Sequence, residues 1–266
     1  MSVVTAEKLP NPSQNRSPAR LIITMVAAVI VGLTAFLWPL FTSPDAIASG
    51  AQAPLLFSLV IPLVLVVVLA ELSDGMLDVK ALAMLGVLAA VGSVLRPLSA
   101  GLAGFELVFF LLILGGRVFG AGFGFALGSV TMLTSALLTA GVGPWLPYQM
   151  IAGGFVGLFA GLLPQVHGRL ELALLAGYGV VVAFLFGFMM DLAFWPFAIG
   201  GNTELSFDAA ATPLENLHHF ILFDIATSMG WNVGRALTNA GLLLLLSTPL
   251  LRLLRRTARR ADFGTS

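Results

Sequence analysis

Three charges lie inside long apolar runs of this sequence: Asp191, Asp224 and Arg235. A charge in hydrocarbon is costly unless it is paired or wetted, so each needs a partner or a ligand. Asp224 and Arg235 are eleven residues apart. That is about three helical turns, so both project from nearly one face. Asp191 or Asp224 is placed to pair with Arg235 and hold two neighbouring segments together; a structural ion pair and a ligand contact are equally open. Glu106 and Arg96 flank a short connection and are expected to pair across it.

A second group combines aromatic rings with amides. The segment GVGPWLPYQ (141–149) carries Trp145, Tyr148 and Gln149. At a membrane interface Trp and Tyr are ordinarily belt anchors. The functional reading is a cavity wall, with ring faces for stacking and Gln149 for amide hydrogen bonds. Trp195, Asn202, Trp231 and Asn232 fall at a similar depth. Apolar walls with a few directed polar groups are the usual make-up of a small-molecule site.

Other chemistry lacks its residues. No GxxxxGK[ST] loop for nucleotide hydrolysis, no HExxH and no Ser-His-Asp arrangement is readable. His218 and His219 are adjacent, so on a helix they face different ways and make a poor metal pair. With no cysteine there are no disulfides, thiol nucleophiles or cysteine-ligated metals. No enzyme, cofactor or metal site is expected, and a short basic tail gives no support for nucleic-acid binding.

The elements that must position these residues are membrane helices. Of 266 residues, 58% are hydrophobic and only 10% charged, against about 25% charged in soluble domains. Apolar residues gather in runs without barrel-like alternation, which makes the fold class all-α integral membrane. Eight spans are expected, at roughly 20–41, 54–71, 80–97, 105–117, 119–140, 147–164, 172–198 and 217–251. The fourth is short and could be re-entrant. The last would be about 52 Å long if wholly helical, beyond a hydrocarbon core of roughly 30 Å. It must tilt, bend near Gly230 or Gly234, or begin outside the membrane. Residues 1–19 read as a disordered, Pro-containing tail and 252–266 as a basic one; no cleaved signal peptide is expected.

Threading eight spans from an inside N-terminus sorts the charges. Eleven of the thirteen Lys and Arg residues then fall inside, including Lys80, Arg117, Arg169 and the run from Arg252 to Arg260. The outer loops carry Asp45, Glu204, Asp208 and Glu215 but no Lys or Arg. By the positive-inside rule both termini are cytoplasmic, and an odd number of spans would break the sorting. Small residues recur at helical spacing. Gly86 and Ala90 form one small-xxx-small pair and Ala89 and Ser93 another, which lets helix backbones approach closely. Glycines at 115, 116, 120, 122, 124 and 128, and again at 153, 154, 157 and 161, are expected to serve internal packing.

From Lys80 onward the sequence resembles the substrate-binding S components of energy-coupling-factor (ECF) vitamin transporters. The resemblance is carried by ALAMLGVLAAVGSVLRPL (81–98), FELVFFLLILGGRVFGAGFGFALG (105–128) and SALLTAGVGPWLPYQMIAGGFVGLFAGLLP (135–164). These are similar to the family's first four helices in order, and GPWLPYQM is similar to that of actinobacterial members. The resemblance implies a six-helix core, residues 80–251, preceded by a two-helix extension, 20–79, that the family does not need. It implies capture of a vitamin or similar micronutrient near the outer face of the cell membrane. It also implies two kinds of partner, a membrane scaffold (T) subunit and a pair of ATPase subunits whose turnover reorients the S component. In the family, a small-residue face on the first core helix meets the scaffold. Its matches here are Gly86, Ala89, Ala90 and Ser93, with Gly and Ser departing from the family's alanines.

On this reading the ligand wall is Arg96, Glu106, Trp145, Tyr148, Gln149, Asn202, Trp231 and Asn232, and the suggested ligand is cobalamin-like. Two other classes stay open: a self-contained secondary transporter or channel, which wants an internal repeat or midplane charges, and a membrane-embedded enzyme, which wants paired titratable groups.

Overall fold

The computed structural model describes residues 18–40, 62, 65–66, 79–98, 104–199, 203–208 and 210–262. Among them are eight α-helices: α1 (Pro18–Leu37), α2 (Val79–Leu98), α3 (Phe109–Phe119), α4 (Ala121–Leu138), α5 (Leu146–Leu162), α6 (Arg169–Phe194), α7 (Pro213–Thr227) and α8 (Met229–Asp262). Five of these regions are long and apolar enough to cross a membrane: Ile22–Leu40, Lys80–Leu98, Ala121–Leu138, Arg169–Phe197 and Met229–Arg259. The chain is an all-α membrane protein. The expected span at 54–71 lies almost wholly outside the described residues.

The expected final span divides in two. Its first part is α7, whose start is set by a capping box between Thr212 and Glu215, with Pro213 in the first turn. Both the backbone amide and the hydroxyl of Thr212 donate to the Glu215 carboxylate and hold its pKa below the ordinary range. The chain leaves α7 at Ser228 and re-enters a helix at Met229. The break falls before Gly230 and Gly234, and the part of the apolar run left in α8, residues 229–251, is about 34 Å long, while the helix itself continues through the arginines to Asp262.

The short fourth span is α3, with 11 residues. At about 16 Å it covers half a hydrocarbon core. It is buried along Phe109–Arg117 and packs on α4, α5 and α8, so neighbouring helices shield what its length cannot. Gly120, at φ 94°, allows the abrupt reversal into α4.

The core is built on backbone-to-backbone contact between α4 and α5. A Cβ on Gly128 would lie 2.0 Å from the Gly153 carbonyl oxygen, and one on Gly157 would lie 2.1 Å from that of Gly124. Only glycine fits there, as the glycine spacing led us to expect. The helices α6 and α8 form the other main pair, α3 bridges the two, and α2 lies on α4.

Helix α1 is an integral part of the packing. It lies on α5 and α6, with Ala28, Ala35 and Phe36 buried. The following Trp38 donates its indole N–H to the Ala193 carbonyl at 2.9 Å.

The alternating helix directions give the bundle two ends. One carries Trp38, Arg96, Glu106, residues 139–149, Trp195 and α7; we call it the Arg96 end. The other, the Arg117 end, carries Lys80, Arg117, residues 163–169 and the arginines of α8 from Arg252 onward.

Candidate functional site

At the Arg96 end the polar residues form three groups. The first joins α2, α4 and α5. Arg96 donates from Nη2 to the Gln149 Oε1 at 3.0 Å and from Nη1 to the Ser135 hydroxyl at 3.5 Å. The proline in the first turn of α5, Pro147, starts the helix where Gln149 faces Arg96.

The second group is centred on Arg235 of α8. Its Nε pairs with the Glu106 carboxylate at 2.8 Å. Its Nη1 donates to the Asn232 Oδ1 at 2.9 Å and to the Ala183 carbonyl of α6 at 3.2 Å. The guanidinium also lies over the rings of Phe186 and Phe109, 5.2 and 5.8 Å from their centroids. Two glycines make the arrangement fit. Gly104, at φ +83°, lies so close to Trp231 that a Cβ would be 2.2 Å from the Trp231 carbonyl oxygen. This seats the approach to α3 on α8 one turn from Arg235 and brings Glu106 within reach. A Cβ on Gly187 would lie 1.9 Å from the Asn232 Oδ1, so Gly187 leaves room for the amide that orients Arg235.

This corrects two expected pairings. Arg235 pairs with Glu106 rather than with either aspartate, because the segment before α3 folds onto α8. Arg96, whose helix packs on α4, turns to Gln149 instead of Glu106. The third group is what the aspartates form without Arg235. Asp224 in α7 lies beside Asp191 in α6. Each keeps one buried oxygen without a partner, Oδ1 of Asp224 and Oδ2 of Asp191.

The aromatic residues divide as well. Tyr148 is fully buried, edge-on to Phe36 of α1 and Phe194 of α6 at 5.4 and 5.1 Å, and its hydroxyl has no hydrogen-bond partner. It is part of the interior, not an open stacking face. Trp145 is half exposed and folds back over its own turn: its indole donates to the Gly141 carbonyl at 3.3 Å and its ring covers Gly143. Trp231 is also half exposed. Asn232 is buried, with its amide nitrogen unpartnered. Trp195 is buried and donates to the Leu205 carbonyl at 2.7 Å, tying the segment 203–208 to the end of α6. His219 uses Nδ1 on the Ser206 carbonyl at 3.2 Å. Asn202 lies outside the described residues.

The expected small-residue face of α2 also separates. Ala89 and Ser93 are buried, and the Ser93 hydroxyl donates to the Ala89 and Thr131 carbonyls at 2.7 and 3.3 Å. They pack on α4. Gly86 and Ala90 are exposed, and a Cβ on Gly86 would meet nothing within 4 Å.

The Arg117 end is different in kind. Arg117 is buried and uses four of its five N–H donors: Nε pairs with Glu171 at 2.8 Å, while Nη1 and Nη2 donate to the Leu163, Pro164 and Val166 carbonyls at 3.0 to 3.1 Å. Arg255 joins Glu171 from α8. Sequence reading passed over this network because it takes Arg117 and Arg255 only as orientation signals. It also passed over Ser135, Phe109, Phe186, Gly104 and Gly187, none of which carries a local signature.

No curated protein and no solved structure matches the chain. A family model described as "ECF transporter, substrate-specific component" matches residues 80–251, the stretch from the start of α2 to the last apolar turn of α8. By that match the chain belongs to the family of ECF transporter substrate-specific components.

Proposed function

We propose that this protein captures a vitamin or related micronutrient from outside the cell at the Arg96 end of the bundle, for ATP-driven uptake by partner subunits. The observation that carries this reading is a pair of buried polar atoms toward the Arg96 end that have no hydrogen-bond partner, Tyr148 Oη and Asn232 Nδ2. An unpaired buried polar group costs free energy that a ligand recovers. Arg96, Glu106, Gln149 and Asn232 would orient the ligand's polar groups, and Trp145 and Trp231, half exposed, would cover its apolar part. Asn202 belongs to the same proposed wall by its place in the outer loop. A corrinoid of the cobalamin type is the first ligand to test, on the family resemblance alone.

Components of this family work with a membrane scaffold subunit and ATPase subunits. For this chain we assign the scaffold contact to Gly86 and Ala90, the small residues of α2 left open; Ala89 and Ser93 support that helix from behind. The charge sorting supports an orientation with the Arg96 end outside and both termini in the cytoplasm, in the cell membrane. We further divide the chain into tails at 1–19 and 252–266, an N-terminal two-helix extension at 20–79 and a substrate-binding core at 80–251.

The test is purification in mild detergent followed by mass spectrometry of retained small molecules, together with co-purification of scaffold and ATPase subunits. A retained vitamin and recovery of both partners are expected. Ion-gradient-driven uptake by the lone chain in liposomes would overturn the reading in favour of a secondary transporter. Turnover of a substrate by the purified chain would favour an enzyme.

A further inference from the structure

Between the start of α6 and the late turns of α8, at the Arg117 end, lies a cavity of about 320 Å³. Its lining includes Arg169, Arg252 and Arg255, with Glu171 as the one acid and Thr248 as a neutral polar group. Glu171 offers little to a further cation, because Arg117 and Arg255 already bind it. Among the described residues, Arg169 and Arg252 have neither an ion-pair nor a hydrogen-bond partner, and both are exposed. The cavity is therefore a concentration of uncompensated positive charge.

Two features specify what fits it. Gly168 caps α6 with no side chain, and no side-chain hydrogen bond closes the helix start. The first-turn amides and the positive end of the helix dipole add to the field of the arginines. The apolar side chains of the lining are Leu172 and Leu251, and Leu245, about one turn before Thr248 on α8, is 76% exposed. A ligand here meets guanidinium groups and then, a turn or two away, bare leucine facing hydrocarbon. Guanidinium forks match phosphate oxygens bidentately.

We propose that this cavity binds the phosphodiester headgroup of an anionic phospholipid, with Arg169 and Arg252 on the phosphate and the acyl chains lying along Leu172 and Leu245. In the orientation proposed above it opens at the headgroup level of the inner leaflet. The site ties the free end of α6 to α8, the two helices that also carry Arg235 and its partners at the opposite end. The inference is independent of which nutrient the protein captures.

The experiment uses the full-length protein in nanodiscs of phosphatidylcholine titrated with phosphatidylglycerol, with retained lipid counted by native mass spectrometry. Wild type is expected to retain phosphatidylglycerol over phosphatidylcholine. The double variant R169A/R252A is expected to lose affinity by about tenfold or more, and R252E alone to lose selectivity. R256A, on the same helix but outside the cavity lining, is expected to bind as wild type. The substituted arginines are exposed, so an unchanged melting temperature is expected throughout. Equal retention of the two lipids by wild type, or undiminished retention by R169A/R252A and R252E, overturns the proposal. So does inorganic phosphate or glycerol 1-phosphate binding the detergent-solubilised protein as tightly as the lipid, which would make the ligand a soluble anion. Loss of scaffold and ATPase recovery with lipid retention intact would assign the arginines to the partners instead.

Discussion

Arg235 and Glu106 stand 129 residues apart in the chain and meet at 2.8 Å. The pair fastens the start of α3 to α8, and Asn232 and the Ala183 carbonyl complete the coordination of the guanidinium. Both side chains are largely buried, 14% and 17% exposed. Removing one partner of such a pair leaves the other charged and poorly solvated. Arg235→Leu is therefore expected to destabilise the protein by about 3 kcal/mol, read as a lowered melting temperature in detergent. Arg235→Lys should also be harmful, because an ammonium does not reproduce the planar fork that reaches Glu106, Asn232 and Ala183 together.

The same node depends on two absent side chains. Gly104→Ala forces the approach to α3 off the Trp231 carbonyl and requires a positive φ of alanine. Gly187→Ala displaces the Asn232 amide. Each is expected to cost about 1–3 kcal/mol and to reduce ligand affinity together with stability. Unchanged melting temperatures would show that the node yields easily.

Tyr148→Phe separates ligand binding from folding. The hydroxyl is buried and unpartnered in the free protein, so its removal should leave stability unchanged or slightly raised. If it serves the ligand, affinity should fall by about tenfold, the worth of one hydrogen bond in a buried site. Trp145→Ala should likewise reduce affinity with little loss of stability, since the ring is half exposed and packs on its own turn. Unchanged affinity would return Trp145 to the role of an interface anchor.

Gly86→Leu tests the open face of α2. Nothing in the protein occupies the space its side chain would enter, so melting temperature and ligand affinity should be preserved while recovery of the scaffold subunit drops. Gly128→Leu is the contrast: the side chain would collide with the Gly153 backbone and the protein should fail to fold. Equal effects from the two would remove α2 as a partner surface.

Orientation is checked by labelling single cysteines, which the natural chain lacks. Trp145→Cys should react with a membrane-impermeant reagent added outside intact cells, and Arg259→Cys only after the membrane is opened. The reverse pattern would invert the proposed topology.

Much of this protein is legible from residue order alone. A chain with 10% charged residues has too few to coat a water-facing surface, and its apolar runs have only helices to satisfy their backbone amides. The glycines of α4 and α5 announced close packing, and α4 and α5 are where backbones touch. The polar residues bet on for a ligand site were harder to place. Arg96 and Glu106 are near in sequence, yet each found its partner elsewhere, on α5 and α8. Side-chain spacing along one helix says which face a charge takes, and says nothing of which other helix arrives there.

What the sequence determined by itself was therefore the solvent, the helical class and the sorting of charge along the chain. These follow from local composition, because transfer into a membrane is decided segment by segment. The tertiary structure alone decided that α1 packs into the core, that the last apolar run breaks at Ser228, and that Arg235 belongs to Glu106 while Asp191 faces Asp224. It also decided which half of α2's small-residue pattern is used inside and which is left open. These outcomes depend on contacts between segments far apart in the chain, and no property of either segment alone contains them.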